Sequence, residues 1–197
     1  MDERGTLHGY ANRVHMRLTL PTILTIFRIA LLPVMVVVFY APFRGANIAA
    51  SAVFIAAALT DWLDGWVARR YGMTSAFGEF LDPVADKLMV CSALLVLLKL
   101  QRVDAFVALV IIGREITISA LREWMAEIGQ RRKVAVSQLG KYKTILQIVG
   151  LTCMLFRIPL LGLPIYNIGV VLTEVAAAAT LYSMVAYLQA AWPELRR

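Results

Sequence analysis

An all-α membrane protein of six transmembrane helices is the fold this sequence predicts, and three observations predict it. Of the 197 residues, 60% are hydrophobic and the mean hydropathy is +0.71, where soluble domains hold about 45–50% apolar residues. The apolar residues gather into six runs, each near the roughly 20 residues that a helix needs to cross the hydrocarbon core. Short polar connectors separate the runs. Backbone groups in lipid must bond within their own segment, so the spans are expected to be helices.

The first run covers about 21–41 and contains Pro33, which is expected to bend it. The start, MDERGTLHGYANRVHMRLTL, is polar and basic, and no small-residue cleavage site directly follows the apolar run after it. That run therefore reads as a retained span and not as a signal peptide. Residues 1–18 form an arm ahead of a single domain over 19–197. In the arm, Arg13, His15 and Arg17 mix with Leu7, Tyr10, Val14 and Leu18. It reads either as a short amphipathic helix lying on the membrane surface or as a loosely ordered basic terminus.

The second run, about 47–68, follows the connector APFRGAN, and the third, about 80–100, follows RRYGMTSAFG. Pro83 in the third marks either a helix first turn or a kink. The fourth run, about 104–126, follows QRVD, and the fifth, about 142–158, follows EIGQRRKVAVSQLGKYK. The sixth, about 163–190, follows RIPLLGLP and ends in PELRR.

Charge orients the bundle. The connectors on one side hold Arg44, Lys99, Arg102 and Arg157, while the other Lys and Arg residues lie on the opposite side or in segments leading toward it. The positive-inside rule then puts both termini in the cytoplasm. The net charge of +7 reflects those loops, and no nucleic-acid partner is expected. Arg122, Arg131, Arg132, Lys133 and Lys143 are read as cytoplasmic-surface charges facing anionic headgroups. Trp62, Trp66, Trp124 and Trp192 read as an interfacial aromatic belt. Cys91 and Cys153 stand in apolar runs as small buried hydrophobes. His8 and His15 have no Cys/His cluster around them, which argues against a zinc site.

One stretch breaks the apolar pattern: TDWLDGWVARRYGMTSAFGEFLDPVADK, residues Thr60 to Lys87. Asp61, Asp64, Gly65 and Ala68 share one helical face, and Gly78, Asp82 and Asp86 share another. A turn between them folds one face onto the other, so four carboxylates converge at the cytoplasmic end of the second and third helices. Four ionised carboxylates in low dielectric repel strongly, and an intramembrane acid is a functional hypothesis by default. Bound cations would keep them ionised, and hard oxygen donors favour Mg²⁺ or Mn²⁺, with four acids suited to a pair of ions. The plainer alternative is helix-end aspartates paired with Arg69, Arg70 and Lys87. Gly65, Ala68 and Gly78 either let helices approach or leave room for a ligand, with Arg69 and Ser75 in reach of a phosphate. Metals, an arginine and a cavity at headgroup depth point to a lipid diphosphate.

The pattern Asp-x2-Asp-Gly-x2-Ala-Arg-x8-Gly-x3-Asp-x3-Asp is complete here, as DWLDGWVAR, eight residues, then GEFLDPVAD. It resembles the signature of the CDP-alcohol phosphotransferases. LPTILTIFRIALLP, GREITISALREWMAEIG and VAVSQLGKYKT extend the likeness from about residue 19 onward. They resemble most the bacterial branch whose acceptor is glycerol 3-phosphate. Thr19 stands where many relatives carry Asn, and the arm before it departs from the family.

The resemblance implies transfer of a phosphatidyl group from CDP-diacylglycerol to glycerol 3-phosphate, with release of CMP, at a bacterial inner membrane, by a homodimer embedded in membrane lipids. It implies Asp86 as the base and a metal neighbour, with Asp61, Asp64 and Asp82 as the main metal ligands. It places Asp61, Gly65, Ala68, Arg69, Ser75 and Gly78 at the CDP-lipid. The acceptor's phosphate calls for cations of its own, and Arg28, Arg114 and Lys141, on three different helices, are the candidates. Arg114 could instead simply pair with Glu115. Other acceptors are serine, inositol phosphate or phosphatidylglycerol. Two rival classes are an intramembrane prenyltransferase, which needs more spans, and a divalent-cation transporter, which would place its acids nearer the midplane and use paired broken helices.

Overall fold

The computed structural model describes residues 19–72, 75–130, 134 and 138–196. Six helices carry the described chain: α1 Leu20–Tyr40, α2 Ala46–Tyr71, α3 Ala76–Lys99, α4 Ala105–Glu127, α5 Gln138–Phe156 and α6 Ile165–Leu195. The fold is all-α, as expected, and the helix ends fall within a few residues of the predicted runs at most places. The largest differences are at α6, which runs on to Leu195, and at the starts of α3 and α5, which begin at Ala76 and Gln138, ahead of the predicted runs. The N-terminal arm, with His8, His15 and its surface-helix reading, lies outside the described residues.

By length and composition, three helices are apolar enough to cross a membrane: Leu20–Tyr40, Ala46–Tyr71 and Ile165–Glu194. The expected count of six is therefore met in helices but not in spans of that composition. The physical reason lies in the side chains they carry. α3 holds Asp82, Asp86 and Lys87, and α4 holds Arg114, Glu115 and Arg122, which dilute their hydropathy. The apolar stretch of α5, Tyr142–Phe156, is shorter.

Local chemistry sets the boundaries. Pro21 opens α1, where a missing N–H costs nothing. α2 stops at Gly72, which takes φ +63°, a conformation that suits glycine after a helix. α3 restarts at Ser75, whose hydroxyl accepts from the Gly78 N–H at 3.0 Å. Pro83 falls inside α3, beyond its first turn. Asp104 caps α4 by accepting from the Phe106 N–H at 2.7 Å.

α1 packs on α2 and α3, and α5 packs most extensively on α6. Two apolar clusters hold the bundle. The larger includes Met35, Phe54, Leu94, Leu97, Ile111 and Leu151; the smaller joins Ile118, Leu121 and Met125 of α4 to Tyr187 and Ala191 of α6. Along α4 and α6, the buried polar residues Arg114, Thr180 and Ser183 fall between the two clusters. Outside, large apolar side chains such as Val37, Leu109 and Ile145 are exposed, as lipid-facing surface requires. Cys91 and Cys153 are free and half-buried.

The α5–α6 contact depends on two glycines. A Cβ at Gly169 would lie 2.8 Å from the Gly150 carbonyl oxygen, and one at Gly150 would lie 2.6 Å from Thr173 Oγ1. Close approach of helices through small residues is how membrane helices associate without a hydrophobic drive between them. Gly169→Leu is expected to lower the melting temperature of the purified protein, with a cost of about 1–3 kcal/mol or more. Gly113→Leu, at a position with nothing within 4 Å of a Cβ, should melt like the parent. Equal melting of both variants would contradict this packing.

Candidate active site

The four aspartates do converge, and Arg28 of α1 gathers three of them. Its Nη1 lies 2.8 Å from Asp61 Oδ1 and 2.8 Å from Asp86 Oδ1, and its Nη2 pairs with Asp64 Oδ2. Arg28 is fully buried and Asp64 nearly so, whereas Asp61 and Asp86 are about half open to the outside. Asp82 takes a different partner: Thr25 Oγ1 donates to its Oδ1 at 2.7 Å. That hydroxyl also lies 3.0 Å from the Pro21 carbonyl, so its one proton serves either acceptor. Among the described ion pairs, the cation at the aspartates is thus Arg28, and not the Arg69, Arg70 or Lys87 of the plainer alternative.

Helix geometry explains the convergence. Asp61 and Asp64 lie one turn apart on α2, as do Asp82 and Asp86 on α3, and Arg28 lies one turn beyond Thr25 on α1. α1 packs against both acidic helices and delivers its polar stripe of Thr22, Thr25 and Arg28, all buried, into the gap between them. Thr22 Oγ1 bonds Thr19 Oγ1 at 2.9 Å and Ser75 Oγ at 2.7 Å.

The small residues divide by role. A Cβ at Gly78 would lie 2.9 Å from Thr22 Oγ1 and 3.1 Å from Ser75 Oγ, so Gly78 lets α3 start hard against α1. A Cβ at Gly65 would meet the guanidinium of Arg69 at 3.3 Å. Gly65 and Arg69 therefore face one another across a single helical turn, beside Asp61 and Asp64.

One guanidinium stands among four carboxylates, so the acids outnumber the cation that pairs with them. The donors are all hard carboxylate oxygens, the set that suits Mg²⁺ or Mn²⁺. Among the described residues, no three metal-capable side chains stand in a ready ligating arrangement, and Arg28 pairs with three of the four aspartates. By donor type and charge the residues fit divalent cations.

Asp61 also borders a cavity of about 660 Å³ between α2 and α5, lined by Ile55, Leu59, Trp62, Ile145 and Ile148. Its walls are almost wholly apolar. The acidic cluster thus opens sideways onto a greasy groove.

A second charged cluster joins α4, α5 and α6. Arg114 donates from Nη1 to Glu115 Oε1 at 2.8 Å, and its Nη2 lies 3.5 Å from Ser183 Oγ. Lys143 Nζ is 3.6 Å from the same Glu115 oxygen. Arg122 Nη2 donates to Tyr187 Oη at 3.2 Å and stacks over its ring. Arg114 and Lys143 are buried, and among the described residues Arg114 Nε and Lys143 Nζ make no hydrogen bond, the ion pair of Lys143 with Glu115 being longer than one. Two buried cations share one acid.

The expected role for Arg28 and Arg114 in a common phosphate site is thus divided, with Arg28 among the aspartates and Arg114 beside Glu115. The Lys141 side chain lies outside what is described. Lys143, read from the sequence as a surface charge, is buried. A signal for it existed: Lys143 stands in helical register with Gln147 and Leu151, both buried. Thr22, Thr25 and Ser183 were also missed, since a lone hydroxyl in an apolar run usually does no more than bond its own helix.

Comparison with known proteins agrees with the motif. The family model for CDP-alcohol phosphatidyltransferase matches residues 18–188. A Yersinia enterocolitica protein named CDP-diacylglycerol–glycerol-3-phosphate 3-phosphatidyltransferase is 48% identical over 185 residues, covering 91% of this chain and 98% of its own. Proteins of the same name from Salmonella typhimurium and Haemophilus influenzae are 47% and 44% identical, covering 91% and 89% of this chain and 98% and 95% of their own. Divalent metal ions are general in the matched family. With its aspartate signature intact and folded into one cluster, the chain belongs to the CDP-alcohol phosphatidyltransferase family.

Proposed function

We propose that this protein is a phosphatidylglycerophosphate synthase, which transfers the phosphatidyl group of CDP-diacylglycerol to the 1-hydroxyl of glycerol 3-phosphate and releases CMP. The observation that carries this reading is the position of Asp61, shared by the charged cluster and the apolar groove between α2 and α5. A lipid diphosphate needs that junction, with its diphosphate at the acids and an acyl chain in the groove. The names of relatives matched along nearly their full length support the same substrates.

Asp61, Asp64, Asp82 and Asp86 would hold divalent cations, Mg²⁺ or Mn²⁺ and two in number. Bound there, such ions neutralise charge on the diphosphate as the phosphoanhydride breaks. The chain's own residues do the rest. Asp86, half open to the outside, takes the proton of the attacking hydroxyl. Gly65, Ala68 and Arg69 receive the cytidine side and its phosphates. Ser75 and Gly78, taken up with Thr22, shape the floor where α1 meets α3.

The acceptor's phosphate is received by Arg114 and Lys143, buried cations that hold donors without a hydrogen bond among the described residues. Lys141 remains a candidate for the same phosphate. Arg28 can join them only by leaving the aspartates. All six helices span the membrane, with both termini and the site at the cytoplasmic face of a bacterial inner membrane. The arm over 1–18 precedes the catalytic domain over 19–197, and the enzyme works as a homodimer.

CMP release from CDP-diacylglycerol, measured over a panel of acceptors, tests the reading. Glycerol 3-phosphate should react, and glycerol, serine, inositol phosphate and phosphatidylglycerol should react poorly. Equal reaction with any of these would overturn the acceptor. No CMP with any acceptor, together with Mn²⁺ uptake into proteoliposomes, would favour a transporter.

A further inference from the structure

Arg28 is the largest fully buried side chain among the described residues, and burying an arginine in a membrane helix is costly unless it is paired. Its two terminal nitrogens serve three carboxylates on two other helices, while its Nε has no hydrogen-bond partner among the described residues. The oxygens it holds, on Asp61, Asp64 and Asp86, belong to the same side chains that a divalent ion at this site would use. Asp82 is not among its partners and bonds Thr25 instead. The site therefore contains a cation of its own, built into α1, that spans the gap between the acidic helices.

We propose that Arg28 is a resident counter-cation that competes with divalent metal for the carboxylates of Asp61, Asp64 and Asp86, so that metal loading requires the guanidinium to withdraw. This rests on the reading that the aspartates hold metal. Four consequences follow from the geometry. The acidic helices stay together when metal is scarce, because Arg28 balances part of their repulsion. Metal affinity is lower than four aspartates alone would provide, since each ion must displace a paired charge. Asp82, free of the guanidinium, is the first ligand open to an incoming ion, and Arg28 becomes available to substrate phosphate only after loading.

The test is Mn²⁺ binding, followed by the electron paramagnetic resonance of free Mn²⁺, with full-length protein in lipid nanodiscs and no substrate present. Arg28→Gln is expected to bind Mn²⁺ at least about tenfold more tightly than the parent, because a like charge within a few ångströms is removed. It should also melt at a lower temperature than the parent in EDTA, with the gap closing in saturating Mn²⁺. Arg28→Lys, a shorter side chain with a single point charge, should shift both readings in the same direction by less. Mn²⁺ affinity equal to or weaker than the parent's in these variants overturns the proposal. If Arg28→Gln does not fold even with Mn²⁺, Arg28→Lys decides by the same criterion. A parent that binds no Mn²⁺ overturns the metal reading itself, a result distinct from binding that ignores Arg28.

Discussion

Asp64→Asn is expected to abolish CMP release, with a loss on the order of 10²–10³-fold or more, the scale seen when a group stabilising transition-state charge is removed. Asp64 is the most buried of the four aspartates and pairs with the buried Arg28. The substitution keeps the shape but removes the charge, and so takes away both a proposed metal ligand and a partner of the guanidinium. EDTA should abolish activity of the parent, and added Mg²⁺ or Mn²⁺ should restore it. Neither ion should restore Asp64→Asn, although the variant inserts and purifies. Its melting curve provides the control, since loss of fold would leave no cooperative transition. Full activity of Asp64→Asn in metal-free buffer would remove the metal model.

The second large effect is expected at the other cluster, and it should be selective for one substrate. Arg114→Ala should raise KM for glycerol 3-phosphate roughly ten- to a hundredfold, since losing a charge-assisted contact typically costs about 1.5–3 kcal/mol. KM for CDP-diacylglycerol should change little. Lys143→Met should act in the same direction, because its buried ammonium shares Glu115 with Arg114. Glu115 makes the experiment discriminating. If the cluster only ties α4 to α5, removing Arg114 should lower stability and disturb both substrates alike. Equal changes in the two KM values would therefore assign Arg114 to the bundle and not to the acceptor.

The residues that reveal the family lie close together in the chain, and this is why they were legible. Asp61, Asp64, Gly65, Ala68, Arg69, Gly78, Asp82 and Asp86 fall within one helical hairpin, where a 3.6-residue period and a short turn are enough to bring two faces together. The six helices were legible for the same reason, since hydropathy and helical periodicity are local. How many of those helices are apolar enough to span was less so: the charges of α3 and α4 serve the interior of the bundle but dilute the hydropathy of their own segments.

What tertiary structure alone decided is the identity of the cation at the acids and of the second charge in the basic cluster. Sequence spacing offered Arg69, Arg70 and Lys87 as neighbours of the aspartates, and the bundle supplied Arg28 from a helix more than 30 residues away. Sequence spacing also left Lys143 among the surface charges, and the packing of α5 turned it inward toward Glu115. The physical reason is the same in both cases. A run of residues determines which face of its own helix is polar, whereas the partner that face meets is set by which helices pack together. Arg28 reaches both Asp64 and Asp86 only because α1 lies against both α2 and α3.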